Sequence, residues 1–199
     1  MLDLKREWFK SIEKFIGKTL GRLPITPNQW TLMSIVFALM GLYFTINVNF
    51  LLALISFFVS GILDFIDGSV ARAKNMSSNT GAYIDTIVDR YIEGIMFLGL
   101  LFVSLPTVIF PSYIWIFLAL FGSMLTTYTK AAAKEKGLVK QELKGGLMSR
   151  GERIILIFLI FILLIFSQQY LATIIIIIFA ILSNLTALQR FFSAIKKDF

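Results

Sequence analysis

Six predominantly apolar runs divide this chain of 199 residues and limit the folds open to it. They cover residues 31–48, 50–70, 82–104, 107–129, 153–168 and 170–188. A helix needs about 20 such residues to cross a bilayer, and 57% of the residues here are hydrophobic against 16% charged. The pattern predicts an all-α integral membrane protein with six transmembrane helices and one domain over residues 1–199.

The residues before the first run show helical periodicity of another kind. Residues 3–20 place apolar side chains on one stripe, with lysines around it: Leu4, Trp8, Ile12, Phe15, Ile16 and Leu20 form that stripe. A basic amphipathic helix is typical of the bilayer interface. We therefore expect a juxtamembrane interfacial helix within residues 1–22, followed by a six-helix bundle over residues 23–199.

Composition excludes several kinds of chemistry. The chain has no Cys and no His, which removes disulfides, thiolate zinc sites, cysteine nucleophiles and imidazole catalysis. The net charge of +7 favours an anionic partner. In a chain with a mean hydropathy of +0.81, a membrane surface or a lipid phosphate fits that role better than nucleic acid.

The basic residues predict the orientation in the membrane. All 19 Lys and Arg residues lie before the first run, around the connection from the second to the third, between the fourth and fifth, or after the sixth. The three other connections contain none. Because Lys and Arg concentrate in cytoplasmic loops, we expect a multi-pass protein of the cell membrane whose termini and active site face the cytoplasm.

Four aspartates are clustered at the predicted cytoplasmic ends of the second and third runs. Asp64 and Asp67 share a helical face with Gly68, Ala71 and Arg72, and Gly81, Asp85 and Asp89 share a face of the next helix. A short connection makes the two helices antiparallel neighbours, so the four carboxylates are predicted to converge. An alternative is that Arg72, Lys74 and Arg90 simply pair with these acids in structural salt bridges.

Four converging carboxylates cannot all remain ionised without a cation, because each raises the pKa of the others. Ligands that are all oxygen favour a hard ion such as Mg²⁺, with Mn²⁺ as an alternative, over zinc or copper. Four carboxylates are enough for two ions, an arrangement that suits phosphoryl-type displacement. The metal ligands predicted in this way are Asp64, Asp67, Asp85 and Asp89.

These residues fit a family signature. They match D-x2-D-G-x2-A-R-x8-G-x3-D-x3-D, and by this motif the chain resembles the CDP-alcohol phosphatidyltransferase family. The resemblance implies a juxtamembrane helix with six transmembrane helices, usually in a homodimer. It also implies metal-dependent transfer of a phosphatidyl-type group from a CDP-linked lipid to an alcohol, with release of CMP.

The resemblance also implies roles for single residues. Asp89, the last aspartate of the motif, would deprotonate the acceptor hydroxyl. Gly68, Ala71, Arg72 and Gly81 would line the site of the CDP-lipid. The stretch Thr26 to Thr31 resembles the family's entry into the first span, so Asn28 and Thr31 are further candidates for the nucleotide. Thr26 before Pro27 is also an ordinary helix cap, which is the alternative interpretation of that stretch.

A group of basic residues bears on the acceptor. Lys130 ends the fourth span, Arg150 and Arg153 begin the fifth and Arg190 ends the sixth. Such a cluster suits an acceptor that carries a phosphate, although these residues could instead bind lipid headgroups. The local sequence around these four residues resembles that of the inositol-phosphate-accepting branch of the family, the phosphatidylinositol phosphate and archaetidylinositol phosphate synthases.

We therefore predict transfer from CDP-diacylglycerol or CDP-archaeol to inositol phosphate. Glycerol 3-phosphate is the main alternative acceptor, since its phosphate could be held in the same way. A cation transporter and an inactive scaffold are alternatives of other classes, and the clustering of the acids at one end disfavours the transporter. Glu93, one turn beyond Asp89, is expected to pair with Arg153 or Arg190.

Overall fold

The computed structural model describes residues 6–139 and 145–196, and within them the chain is helical. The helices are α1 (Arg6–Leu20), α2 (Pro27–Ile46), α3 (Phe50–Ala73), α4 (Asn79–Leu101), α5 (Ser112–Glu135), α6 (Arg150–Ile165) and α7 (Gln169–Ile195). In these ranges the extended pairing is limited to one isolated bridge between Val108 and Phe110. The prediction of an all-α fold is confirmed.

Each of the six predicted spans overlaps one helix, from α2 to α7. Within the described ranges, α2, α3, α5 and α7 are long and apolar enough to cross a membrane. Helix α4 differs because it carries Asp85, Asp89, Arg90 and Glu93, and α6 differs because it has only 16 residues. Length and composition therefore support a multi-pass membrane protein through four helices.

The first compact unit, Met1–Val103, contains α1 to α4. Helix α2 packs against α3 and α4, and α1 packs against α3. Polar groups in these contacts satisfy one another: the Ser60 hydroxyl, which is buried, donates to the backbone oxygen of Ser34 at 2.7 Å. Of the predicted N-terminal stripe, Leu4 and the side chains of Trp8 and Ile12 lie outside the described residues.

Helix α1 is held against the unit by an apolar cluster. Ile16 and Leu20 of α1 pack with Trp30 of α2 and with Leu63, Ile66 and Val70 of α3. Gly17 allows the close approach, because a Cβ there would lie 2.5 Å from the backbone oxygen of Ser69. The contact face of α1 is thus apolar and has a glycine at the point of closest approach.

A tight connection joins α3 to α4. Lys74 caps α3, and Asn75 takes a left-handed backbone conformation with φ of 54°. Ser78 then begins α4 as its N-cap, since its hydroxyl accepts from the backbone N–H of Gly81 at 3.0 Å. The connection turns the chain within five residues, so the motif residues of the two helices lie near the same end.

The second compact unit, Ser104–Phe199, contains α5 to α7. Helix α7 packs against both α5 and α6. At the α5–α7 contact the Thr126 hydroxyl donates to the backbone oxygen of Ser183 at 3.0 Å, and Asn184 Nδ2 donates to the backbone oxygen of Leu118 at 2.9 Å. Small and polar residues therefore form this contact, as is common between membrane helices.

Gly122 lies at the centre of the α5–α7 contact and gives a test of it. A Cβ at this position would meet Ser183 Oγ and would lie 2.5 Å from Asn184 Nδ2. We expect Gly122→Ala to lower the free energy of unfolding by about 1–3 kcal/mol, because the two helices must separate. Thermal unfolding in detergent micelles measures the effect. Gly61→Ala is the matched control, since a Cβ at Gly61 meets nothing within 4 Å, and equal stability of the two variants would contradict the packing described.

Candidate metal and nucleotide site

Three carboxylates of the motif converge in the first unit. Asp64 and Asp67, three residues apart on α3, and Asp85 on α4 each offer one oxygen, and these oxygens lie within 4.8 Å of one another. Asp67 is buried, and the other two are partly buried. Like charges this close repel strongly unless a cation lies between them. The oxygen-only set could hold a hard divalent ion, so the predicted convergence, although not the binding of a metal, is confirmed for these three aspartates.

The carboxylate of Asp67 is oriented by Thr31, near the start of α2. The Thr31 hydroxyl donates to Asp67 Oδ2 at 2.5 Å, and both residues are buried. Thr31 is placed there because α2 starts one turn earlier, with Thr26 as N-cap, Pro27 in the first turn and the backbone N–H of Thr26 donating to Gln29 at 2.8 Å. Thr26 is therefore a helix cap, as the alternative interpretation of this stretch predicts. Because the cap fixes where α2 begins, it also places Thr31 beside the Asp67 carboxylate.

A cavity of about 410 Å³ adjoins the carboxylates. Residues from the start of α2, the last turns of α3 and the start of α4 line it, together with Asp67 and Asp85. All six residues predicted for the CDP-lipid are among them: Asn28, Thr31, Gly68, Ala71, Arg72 and Gly81. The structure thus brings together residues that are up to 53 positions apart in the sequence.

The connection between α3 and α4 also lines the cavity, through Met76, Ser77 and Ser78. Sequence reasoning missed these residues. Ser78 could have been found from the helix-capping preference of serine, whereas nothing in the sequence distinguishes Met76 and Ser77. These three residues line the cavity because the short connection between α3 and α4 keeps them beside it.

Asp89 lies outside the group of three converging carboxylates. It is buried one turn beyond Asp85 on α4, and Arg90 Nη2 lies 3.9 Å from its Oδ2. Arg90 Nη1 also donates to Glu93 Oε2 at 2.7 Å, and the expected pairing of Glu93 with Arg153 or Arg190 stays a prediction. The assignment of Asp89 as a metal ligand and as a base stays a prediction.

Arg72 lies between two neighbours at the wall of the cavity. Its Nε forms an ion pair with Oε1 of Glu13 on α1. On the other side, its two terminal nitrogens lie 3.3 Å from the position that a Cβ on Gly68 would take. Gly68 therefore leaves room for the guanidinium along α3. Sequence reasoning missed Glu13, because an acidic residue among lysines on an amphipathic helix is not by itself a signal.

The four predicted acceptor residues lie in the second unit. Buried Arg153 of α6 donates through Nη1 to the backbone oxygen of Ser123 at 2.8 Å. Arg190 of α7 donates through Nη1 to the backbone oxygen of Thr126 at 2.7 Å. The two arginines therefore reach adjacent turns of α5, and Lys130 follows Thr126 by about one further turn on the same helix.

The start of α6 positions the other predicted arginine. Arg150 is exposed and occupies the first position of α6, directly after the N-cap Ser149. The backbone N–H of Ser149 donates to Glu152 at 2.5 Å, and this bond holds the pKa of the Glu152 carboxyl below its ordinary value. The cap fixes where α6 begins and, with it, the separation of Arg150 from Arg153 by just under one turn.

The region that contains the motif matches known proteins. The family model of CDP-alcohol phosphatidyltransferase matches residues 24–185. The archaetidylinositol phosphate synthase of Pyrococcus horikoshii is 34% identical over an alignment of 199 positions that covers 99% of this chain and 98% of that protein. The motif residues that line the cavity and supply the carboxylates all fall within the matched range.

Solved structures show the same fold. The crystal structure of Mycobacterium tuberculosis phosphatidylinositol phosphate synthase with CDP-DAG bound matches with a TM-score of 0.79 and 24% identity, over 92% of this chain and 94% of that one. A structure of the same enzyme in complex with manganese and citrate matches with a TM-score of 0.79 and 24% identity, over 92% and 88%. Together with the family model and the full-length relative, the fold and the site show that this chain belongs to the CDP-alcohol phosphatidyltransferase family.

Proposed function

We propose that the chain transfers the phosphatidyl-type group of a CDP-linked lipid, CDP-diacylglycerol or CDP-archaeol, to inositol phosphate and releases CMP. The observation that carries this proposal is the cavity lined by Asp67 and Asp85, two of the three converging carboxylates, together with all six residues expected to bind the CDP-lipid. The relative named for archaetidylinositol phosphate synthesis supports the choice of acceptor, since it matches along its whole length.

The proposed enzyme is one domain with six spans, α2 to α7, and an interfacial α1. The exposure of Phe15, at 71%, supports the interfacial position, because this aromatic ring flanks the exposed Lys14 on the side of α1 away from its apolar cluster. The distribution of all 19 basic residues supports a cell-membrane protein with cytoplasmic termini and a cytoplasmic active site. A homodimer is proposed from the family resemblance alone.

In the proposed site, Asp64, Asp67, Asp85 and Asp89 hold Mg²⁺, or Mn²⁺ in its place, with ligands enough for two ions. The ions would neutralise the diphosphate and stabilise the leaving CMP. Thr31 keeps one oxygen of Asp67 in a fixed direction. Asn28, Gly68, Ala71, Arg72 and Gly81 bind the cytidine diphosphate portion of the donor, and the absence of side chains at the two glycines leaves space for it.

The reaction proposed at this site is a displacement at phosphorus. The acceptor hydroxyl attacks the lipid-side phosphorus, and Asp89 takes the hydroxyl proton. A new oxygen–phosphorus bond forms while the bond to the CMP oxygen breaks, and CMP leaves with that electron pair. The position of Asp89 supports this role, because its buried carboxylate lies about one turn beyond Asp85 on α4.

For the acceptor, we propose that Lys130, Arg150, Arg153 and Arg190 bind the phosphate of inositol phosphate. The attachment of Arg153 and Arg190 to carbonyl oxygens of α5 supports this role. An arginine whose side chain is already fixed loses less conformational freedom when it grips a phosphate. The same argument applies to glycerol 3-phosphate, so the acceptor must be decided by measurement.

The reaction and its acceptor are tested with purified protein in detergent, a CDP-lipid and Mg²⁺. We expect CMP release with inositol phosphate, little with inositol, glycerol 3-phosphate or serine, and none after addition of a chelator. Release with glycerol 3-phosphate would retain the catalytic site and replace the acceptor. Metal-dependent ion flux through liposomes without CMP release would overturn the enzymatic function.

Asp89→Asn tests the proposed base. The substitution keeps the shape and removes both the charge and the proton acceptor, so we expect turnover to fall by about 100-fold or more. CMP release measures turnover, and binding of CDP checks that the nucleotide site is intact. The matched control is Glu135→Gln, which removes a carboxylate that is 72% exposed and pairs with Lys136. Turnover of the Asp89 variant at the rate of the unaltered protein would contradict the assignment.

Arg190→Ala tests the phosphate site. Loss of a charged hydrogen bond of about 1.5–3 kcal/mol should raise the KM for inositol phosphate by about 10-fold to 100-fold. The KM for the CDP-lipid should change little, and Lys134→Ala, an exposed lysine on α5, should change neither. Arg190→Lys keeps the charge without the fork and should give an intermediate KM. A selective increase in the KM for the CDP-lipid would place Arg190 in the donor site instead.

A further inference from the structure

Glu13 of α1 is the one acidic side chain whose ion pair with the motif arginine Arg72 the structure records in its described part. The side chain of Glu13 is 20% exposed and that of Arg72 is 52% exposed. An ion pair of this exposure contributes little to the stability of a fold. Its effect on the position of the arginine is a separate matter, because Arg72 lines the cavity.

The position of Glu13 is set by more than the ion pair. Gly17, one turn later on α1, sits against α3: a Cβ there would lie 2.9 Å from the Cβ of Ala73, as well as against the backbone oxygen of Ser69. The apolar cluster of Ile16 and Leu20 holds the same face. Helix α1 is therefore docked along the last turns of α3, and its carboxylate is presented to Arg72 from a fixed backbone.

Hydrogen bonds from Lys74 fix the segment that follows α1. Lys74 Nζ, directly after α3, donates to the backbone oxygens of Leu23 at 3.1 Å and Ile25 at 3.3 Å. These residues lead into Thr26, Pro27 and Asn28, which line the cavity. The end of α3 thus holds α1 through Gly17 and Glu13, and the α1–α2 connection through Lys74.

We propose that Glu13 is a positioning residue for donor binding, which holds the Arg72 guanidinium at the cavity wall so that it meets the diphosphate of the CDP-lipid. The proposal rests on the proposed function, in which Arg72 binds the donor. A free arginine side chain populates many rotamers, and this freedom is lost when the side chain binds a ligand. Confinement between Glu13 and the open face of Gly68 removes part of that freedom before the donor arrives.

Electrostatic competition by Glu13 would change the KM for the CDP-lipid in the opposite direction, so the direction of the change tests the proposal. Glu13 is negative, as is the diphosphate, so a Glu13 that merely competed for Arg72 would weaken donor binding. Removal of the carboxylate would then lower the KM for the CDP-lipid. Positioning predicts that the KM rises, and an unchanged kcat with an unchanged KM for inositol phosphate separates it from a general loss of structure.

The experiment measures CMP release by Glu13→Ala and Glu13→Gln. We expect Glu13→Ala to raise the KM for the CDP-lipid by about fivefold, with kcat and the KM for the acceptor unchanged. Glu13→Gln keeps an oxygen that can accept from Arg72 Nε, so it should restore most of the loss. Lys14→Gln, at the exposed neighbouring position, is the matched control and should behave as the unaltered protein.

A double-mutant cycle with Arg72→Ala tests whether Glu13 acts through that arginine. In the Arg72→Ala background, Glu13→Ala should have no further effect on the KM for the CDP-lipid or on the binding of free CDP. Additive effects, or a lower KM in Glu13→Ala alone, would overturn the proposal. If the unaltered protein releases no CMP but binds CDP, the cycle is read on CDP binding, so that failure of the proposed reaction is distinguished from failure of the positioning role.

Discussion

The convergence of three carboxylates within 4.8 Å, near one end of two apolar helices, is the constraint on which the rest of the first unit depends. Mutual repulsion opposes this arrangement in a medium of low dielectric constant, so a rigid frame must hold it, and a divalent cation could relieve the repulsion. The frame consists of a short α3–α4 connection, with Ser78 as the N-cap of α4, and the hydrogen bond from Thr31 to Asp67.

Small and uncharged residues form close helix contacts in both units. Hydroxyls and glycines make the close contacts, as with Ser34 and Ser60 in one unit and with Gly122 and Ser183 in the other. Between membrane helices, packing of small residues replaces the hydrophobic driving force that water provides to soluble proteins.

The sequence was sufficient to predict the helices and most of the first site, for a geometric reason. Spacings of three and four residues place Asp64, Asp67 and Gly68 on one helical face, whatever the tertiary structure. Gly68, Ala71, Arg72 and Gly81 were found from the family motif, and Asn28 and Thr31 from the resemblance of their stretch to the family's entry into the first span. Glu13 and Gly17 could not be found, because their importance depends on α1 being docked against α3, and no local pattern specifies that contact.

The basic residues of the second unit show what side-chain geometry adds to a prediction made from the sequence. Their positions at helix ends were predictable, but the sequence did not indicate that Arg153 and Arg190 donate to carbonyl oxygens of α5. A lysine could place a charge there, whereas the planar guanidinium fixes its own orientation when it bonds to a backbone oxygen. Arginine at the two positions next to α5 is therefore explained by orientation rather than by charge.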